Sequence, residues 1–160
     1  MIGSGARRHP RSLIVGFARL YELTGDAEYL AAARFFWNTV VWRRTLAIGG
    51  HGNEERFFAP EESLQHLHGA KTMEGCCTYN MLRLTRLLFG IEPSAEYADY
   101  YERALYNNSI LASQHPDTGW TTYFQTTRPG YMKLYHSPVD SFWCCTGTGM
   151  ENHAKHGDSI

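Results

Sequence analysis

Apolar residues recur at helical spacing from the first readable pattern in the chain. From Ser12, the residues Leu13, Ile14, Phe17, Leu20 and Tyr21 share one face of a 3.6-residue period. Gly25 then supplies a stop and Asp26 an N-cap. A second helix runs from Ala27 towards Arg43, with Tyr29, Leu30, Ala33, Phe36, Trp37, Val40 and Val41 as its apolar face. Joined by the tight Thr24-Gly25-Asp26 turn, the two predict an αα-hairpin. From Ile48 to Gly75 the period is lost in a stretch rich in Gly, His and Glu, and irregular connections of such length are usually functional or disordered.

The helical pattern returns from Thr78 to Phe89 and is expected to stop at Gly90. A fourth helix follows Pro93-Ser94 and carries Tyr97, Tyr100, Tyr101, Ala104, Leu105 and Ile110. Beyond it, His115–Gly119 reads as a turn, Trp120–Phe124 as a short strand and Arg128-Pro129-Gly130 as another turn. A Gly-rich loop then leads to a helix starting near Met150. Helix pairs alternating with long loops suggest an α/α toroid, yet four or five helices are too few to close one.

With 160 residues the chain has room for one domain with a sizeable core. A net charge of -1 gives no electrostatic reason to expect nucleic acid or an anionic membrane as a partner. No apolar run approaches the ~18–20 residues of a membrane span. The segment Met1 to Pro10 is basic but lacks the apolar stretch of a signal peptide, so the chain as it stands is expected in the cytoplasm. Aromatic residues make up 14%, which suits either a thick core or a ring-lined cleft, because the C–H face of a sugar packs well on an aromatic face.

The four cysteines form two vicinal pairs, Cys76-Cys77 and Cys144-Cys145. Neighbouring cysteines rarely bond each other, which leaves a cross-pair disulfide, unrelated buried thiols or a metal site. Glu74 stands two residues before Cys76, so a carboxylate and a thiolate can converge on one ion from a loop entering a helix. The second pair lies in the run Phe142 to Gly149, read as a flexible loop behind an aromatic lip. Three thiolates and a carboxylate, Glu74, Cys76, Cys144 and Cys145, make a tetrahedral-capable set that favours zinc over magnesium or calcium. Spacing does not say which of Cys76 and Cys77 takes part.

Among the histidines, His66 and His68 would share a face on a strand, and solvated loop positions are the simpler reading. Glu151-Asn152-His153 reads as hydrogen-bonding support near a helix start. Glycoside cleavage needs one group to protonate the leaving oxygen and another to attack or to activate water. Glu54 and Glu55 are candidates in the Gly-rich stretch, one expected to face a cleft and the other solvent; Glu61 and Glu62 read as ordinary surface charges. Composition alone nominates none of them.

The runs Glu74-Gly75-Cys76-Cys77-Thr78-Tyr79-Asn80-Met81-Leu82-Arg83-Leu84 and Phe142-Trp143-Cys144-Cys145-Thr146-Gly147-Thr148-Gly149-Met150-Glu151-Asn152-His153 resemble those of glycoside hydrolase family 127, the β-L-arabinofuranosidases. Tyr21–Asp26, Ala104–Asn107 and Gln114–Pro116 fit the same family in the same order. The resemblance implies a mainly α fold, part of an (α/α)6-barrel, in a retaining glycosidase with a cysteine nucleophile held on zinc. Carried over by position, Glu74, Cys76, Cys144 and Cys145 would be the zinc ligands, Cys144 the nucleophile and Glu55 the general acid/base. Tyr123 resembles a tyrosine that contacts the sugar, and the substrate would be a carbohydrate ending in β-L-arabinofuranose or a related sugar. Cys77 stands where relatives often carry Asn or another residue and is left outside the metal shell.

The chain departs from the family in reading Gly5-Ala6-Arg7-Arg8 where relatives carry a His-Ala-Asn-Thr run. Residues 1–11 are accordingly read as out-of-family sequence and 12–160 as part of a barrel domain. An open part-barrel is expected to leave the apolar faces of Phe36, Trp37 and Val40 exposed, which self-association into homo-oligomers would cover. A non-catalytic zinc module, or an inactive fragment that binds carbohydrate or another chain, is the alternative; it would show a closed four-ligand site with no sugar-sized cleft beside Cys144.

Overall fold

The computed structural model describes residues 11–57, 69–109, 112–154 and 157. Expectations for residues 1–10, Glu61, Glu62, His66, His68 and Ile110, and for the side chain of His153, fall outside the described set. The described residues form five α-helices: α1 Arg11–Thr24, α2 Ala27–Arg43, α3 Gly75–Ile91, α4 Ala95–Ala104 and α5 Cys144–Ala154. A π-helical turn, Leu105–Ser109, continues α4.

The hairpin of α1 and α2 follows from local chemistry. Gly25 adopts φ 72°, a left-handed conformation that glycine enters at little cost, and its N–H returns to the Tyr21 carbonyl at 2.8 Å. The Asp26 carboxylate accepts from the Glu28 N–H at 3.0 Å, capping α2. On α2, Leu30, Ala33, Trp37, Val40 and Val41 are buried at successive turns. Trp37 is fully enclosed: its indole N–H donates to Thr85 Oγ1 at 2.8 Å, and its ring meets Tyr97 and Tyr100 edge to face.

The expected exposure of Trp37 and Val40 is therefore wrong. Both sit in the core because α3 and α4 supply the opposing surface, and Phe36 is half-buried. The apolar side chains left to water are others, notably Leu13, Leu23, Phe35 and Trp42.

α3 is the central helix and packs against α1, α2, α4 and α5. It begins at Gly75, earlier than the apolar period predicts, and runs through Gly90 to Ile91. A side chain at Gly90 would meet nothing within 4 Å, so this glycine marks an open surface position and not a stop. α5 likewise begins at Cys144 and not near Met150. Gly149 serves close packing here, since a Cβ would lie 2.4 Å from Thr121 Oγ1.

No regular strand occurs among the described residues, and Trp120–Phe124 is not one. Isolated antiparallel bridges take its place: Asn53 pairs with Thr72, Glu74 with Phe124, and Thr122 with Tyr135. These bridges lay four irregular segments side by side, around residues 53, 73, 123 and 136. Tyr100 Oη donates to the Gly49 carbonyl at 3.1 Å and ties this layer to α4. Gly49 itself has φ 94°, and a Cβ there would lie 2.5 Å from the Ala104 backbone.

Candidate active site and metal centre

The start of α3 and the start of α5 meet. Glu74 precedes α3, Cys76 lies in its first turn, and Cys144 and Cys145 open α5. Gly75 N–H donates to the Tyr123 carbonyl at 2.9 Å, which fixes the Tyr123 segment beside this junction.

One donor atom from each of Glu74, Cys76, Cys144 and Cys145 lies within 4.8 Å of every other. Cys76 and Cys145 sulfurs are 3.3 Å apart, and Cys144 and Cys145 sulfurs 3.9 Å. Glu74 Oε1 is 3.7 Å from Cys144 Sγ and 3.6 Å from Cys145 Sγ. A tetrahedron with metal–sulfur bonds near 2.3 Å has edges of roughly 3.8 Å, so the donor set fits one zinc-sized ion. None of the four cysteines is in a disulfide. Cys145 and Cys77 are buried, Cys76 half-buried and Cys144 exposed.

The three sulfurs hold their protons unequally. The hydrogen bond with Cys145 lowers the Cys76 thiol below the ordinary cysteine value, with Thr148 adding a second bond at 3.0 Å. The same bond with Cys76, followed by burial, raises Cys145, and partial desolvation of its sulfur raises Cys144. A cation held among these groups would override such differences, because a coordinating thiol is deprotonated outright.

Beside the cluster opens a cleft of about 800 Å³, lined among others by Glu54, Glu55, Tyr123, Tyr131, His136 and Trp143. Of the aromatic pair Phe142-Trp143, Trp143 lines the cleft and is 55% exposed. The cysteines behind that pair stand on a helix and not on a flexible loop.

Glu54 and Glu55 are the central residues of a two-residue turn closed by Asn53 and Arg56, whose backbones exchange bonds of 2.9 and 3.0 Å. Their φ values are 48° and 64°. Successive left-handed residues are the signature of a type I′ turn, for which Asn-Gly is the favoured pair. Two glutamates hold these positions at a cost of about 1–3 kcal/mol each, a strain found most often at functional sites. Both line the cleft, and the Glu55 carboxylate turns to Tyr123.

The Tyr123 phenol donates to Glu55 and lies 3.6 Å from Cys144 Sγ. Burial, and then its bond to Glu55, pushes the phenol well above its ordinary value, so it keeps its proton. His136 and Thr148 carried no sequence signal: neither stands at ligand spacing from another candidate. Thr146 Oγ1 donates to the Ser141 carbonyl at 2.9 Å, which uses its one proton. His136 Nδ1–H therefore donates to Thr146 Oγ1 at 2.8 Å. That leaves Nε2 as a buried acceptor with no partner among the described residues. Burial lowers the His136 pKa and keeps the ring neutral. Glu151 accepts from Tyr79, a support bond between α5 and α3.

The chain is 31% identical over 102 residues to a non-reducing end β-L-arabinofuranosidase of Bifidobacterium longum subsp. longum, a match covering 61% of this chain and 15% of that protein. The crystal structure of a GH127 β-L-arabinofuranosidase from Geobacillus stearothermophilus T6 superposes with a TM-score of 0.64 at 19% identity, over 88% of this chain and 24% of that one. The chain thus spans a minor part of the length of both, and its helices make up part of an (α/α)6-barrel. A family profile described as "Beta-L-arabinofuranosidase, GH127 catalytic domain" matches residues 6–158. With that match running over nearly its whole length, the chain belongs to the GH127 β-L-arabinofuranosidase family of glycoside hydrolases and represents part of the catalytic domain.

Proposed function

We propose that the cleft is the cleavage site of a retaining glycosidase that releases terminal β-L-arabinofuranose or a closely related sugar. Cys144 is the nucleophile, Glu55 the general acid and base, and Tyr123 a sugar contact. Glu74, Cys76, Cys144 and Cys145 are the residues that would hold zinc. When bound, zinc supplies the positive charge that keeps these sulfurs deprotonated near neutral pH.

The observation that carries the reading is the position of the Tyr123 phenol, between Glu55 and Cys144 at the open edge of the four-donor cluster. A purely structural metal site would be closed. Here Cys144 is exposed and a sugar-sized cleft lies beside it, with Trp143 available to pack on a ring face.

The reaction runs in two displacements. Glu55 gives its proton to the leaving oxygen as the glycosidic bond breaks and the Cys144 sulfur bonds to the anomeric carbon. The Glu55 carboxylate then takes a proton from water. The water oxygen attacks the same carbon, and the carbon–sulfur bond breaks to return the thiolate. Two inversions at one carbon retain its configuration.

The test is hydrolysis of 4-nitrophenyl β-L-arabinofuranoside by the zinc-loaded chain, with NMR of the first sugar released. The β-anomer first, with activity lost in Cys144→Ala and Glu55→Gln, is the expected result. No release, the α-anomer first, or full activity in Cys144→Ala contradicts the proposal.

A further inference from the structure

Cys77 is a buried thiol, 1% exposed, that the reaction above does not use. It is neither in a disulfide nor one of the four clustered donors. Its sulfur nonetheless donates to Glu74 Oε2 at 3.0 Å, while Glu74 Oε1 is the oxygen facing Cys144 and Cys145. The two carboxylate oxygens therefore have different neighbours: one looks into the cluster and the other back onto α3. Glu74 occupies the N-cap position of α3, and its side chain makes no capping bond to the helix backbone.

We propose that Cys77 is the positioning residue of Glu74, holding Oε2 so that the carboxylate offers the metal one oxygen, Oε1. This rests on the metal reading of the cluster given above. The reason is geometric. Residues three apart on a helix are neighbours on one face, so Cys77 reaches back to Glu74 across the first turn of α3. Cys76, rotated about 100° from it, places its sulfur beside Cys145. The vicinal pair thus divides its labour, one sulfur in the cluster and one behind its carboxylate. A bond to an ionised acceptor is stronger than a neutral one, even from a weak S–H donor. Losing the partner that orients a metal-binding group typically costs about 10–100-fold in metal affinity.

The experiment is a zinc competition titration of the full 160-residue chain against a chromophoric chelator. It compares the wild type with Cys77→Val, Cys77→Ala, Cys77→Ser and Cys76→Ser, each checked for folding by metal-free thermal unfolding. Val is larger than Cys by about one methyl group and Ala is smaller by the sulfur, so one apolar variant guards against misfolding of the other; Ser keeps a donor. Cys77→Val and Cys77→Ala are expected to bind zinc about 10–100-fold more weakly, with Cys77→Ser close to wild type. Folded Cys77→Val that binds like wild type overturns the assignment, and so does Cys77→Ser as weak as Cys77→Val. A wild type that binds no zinc, or binding unchanged in Cys76→Ser, overturns the metal reading itself, and this assignment with it.

Discussion

The phenolic oxygen of Tyr123 stands 3.6 Å from the sulfur of Cys144, and its proton goes to Glu55. One side chain thus touches both groups assigned to bond cleavage, and it does so from a segment pinned to the start of α3. Tyr123→Phe removes both contacts while keeping the ring. Hydrogen bonds to charged groups contribute about 1.5–3 kcal/mol, so kcat/KM for an aryl β-L-arabinofuranoside should fall about 10–100-fold with zinc content unchanged. An unchanged rate would remove Tyr123 from the site.

The turn at Glu54 and Glu55 holds two glutamates in a left-handed backbone. Rewriting it with the favoured pair, Glu54→Asn with Glu55→Gly, should raise the unfolding free energy by about 1 kcal/mol in a urea titration. The same double variant should lose glycosidase activity, whereas Glu54→Asn alone should keep it. A double variant less stable than wild type would show that the left-handed backbone at φ 48° and 64° is not strained.

His136 joins the first turn of α5 to the Tyr123 segment, through its Nδ1–H to Thr146 and its backbone N–H to the Thr121 carbonyl at 2.8 Å. Asn places its amide nitrogen where Nδ1 lies, and Gln places its own nearer Nε2. His136→Asn should therefore cost less stability than His136→Gln, which leaves the Thr146 acceptor unmet at about 1–3 kcal/mol. Chemical denaturation of the two variants checks this, and the reverse order would assign the wrong tautomer.

In the core, Thr85 accepts the Trp37 indole N–H and donates to the Met81 carbonyl at 2.6 Å. Thr85→Val keeps the shape but leaves the buried indole donor unsatisfied, a loss of about 1–3 kcal/mol, while Thr85→Ser keeps the hydroxyl and should lose less. Equal stability of Val and Ser variants would mean that the indole finds another acceptor.

Much of the helical frame was legible because its signals are local. The period of α2, with Gly25 and Asp26 before it, gives bounds that agree with the structure. Gly90 and Gly149 misled for one reason: glycine in a helix costs about 1 kcal/mol, which an open surface tolerates and a close contact repays. Nothing local distinguishes those uses from a stop or a loop. The bridges that align Glu55, Glu74, Tyr123 and His136 pair short segments far apart in the chain, and such pairings leave no period to read. The grouping of Glu74 with three cysteines was legible in residue types. The choice of Cys76 over Cys77 was not, because it depends on where α3 begins and hence on which way each sulfur points.

The most direct test of the account is the zinc stoichiometry and affinity of the purified, reduced chain, measured alongside Cys145→Ser. The account predicts one tightly held zinc per chain, with affinity falling at least about 10-fold when that buried sulfur is replaced. A folded chain that holds no zinc, or holds it equally well without Cys145, would contradict it.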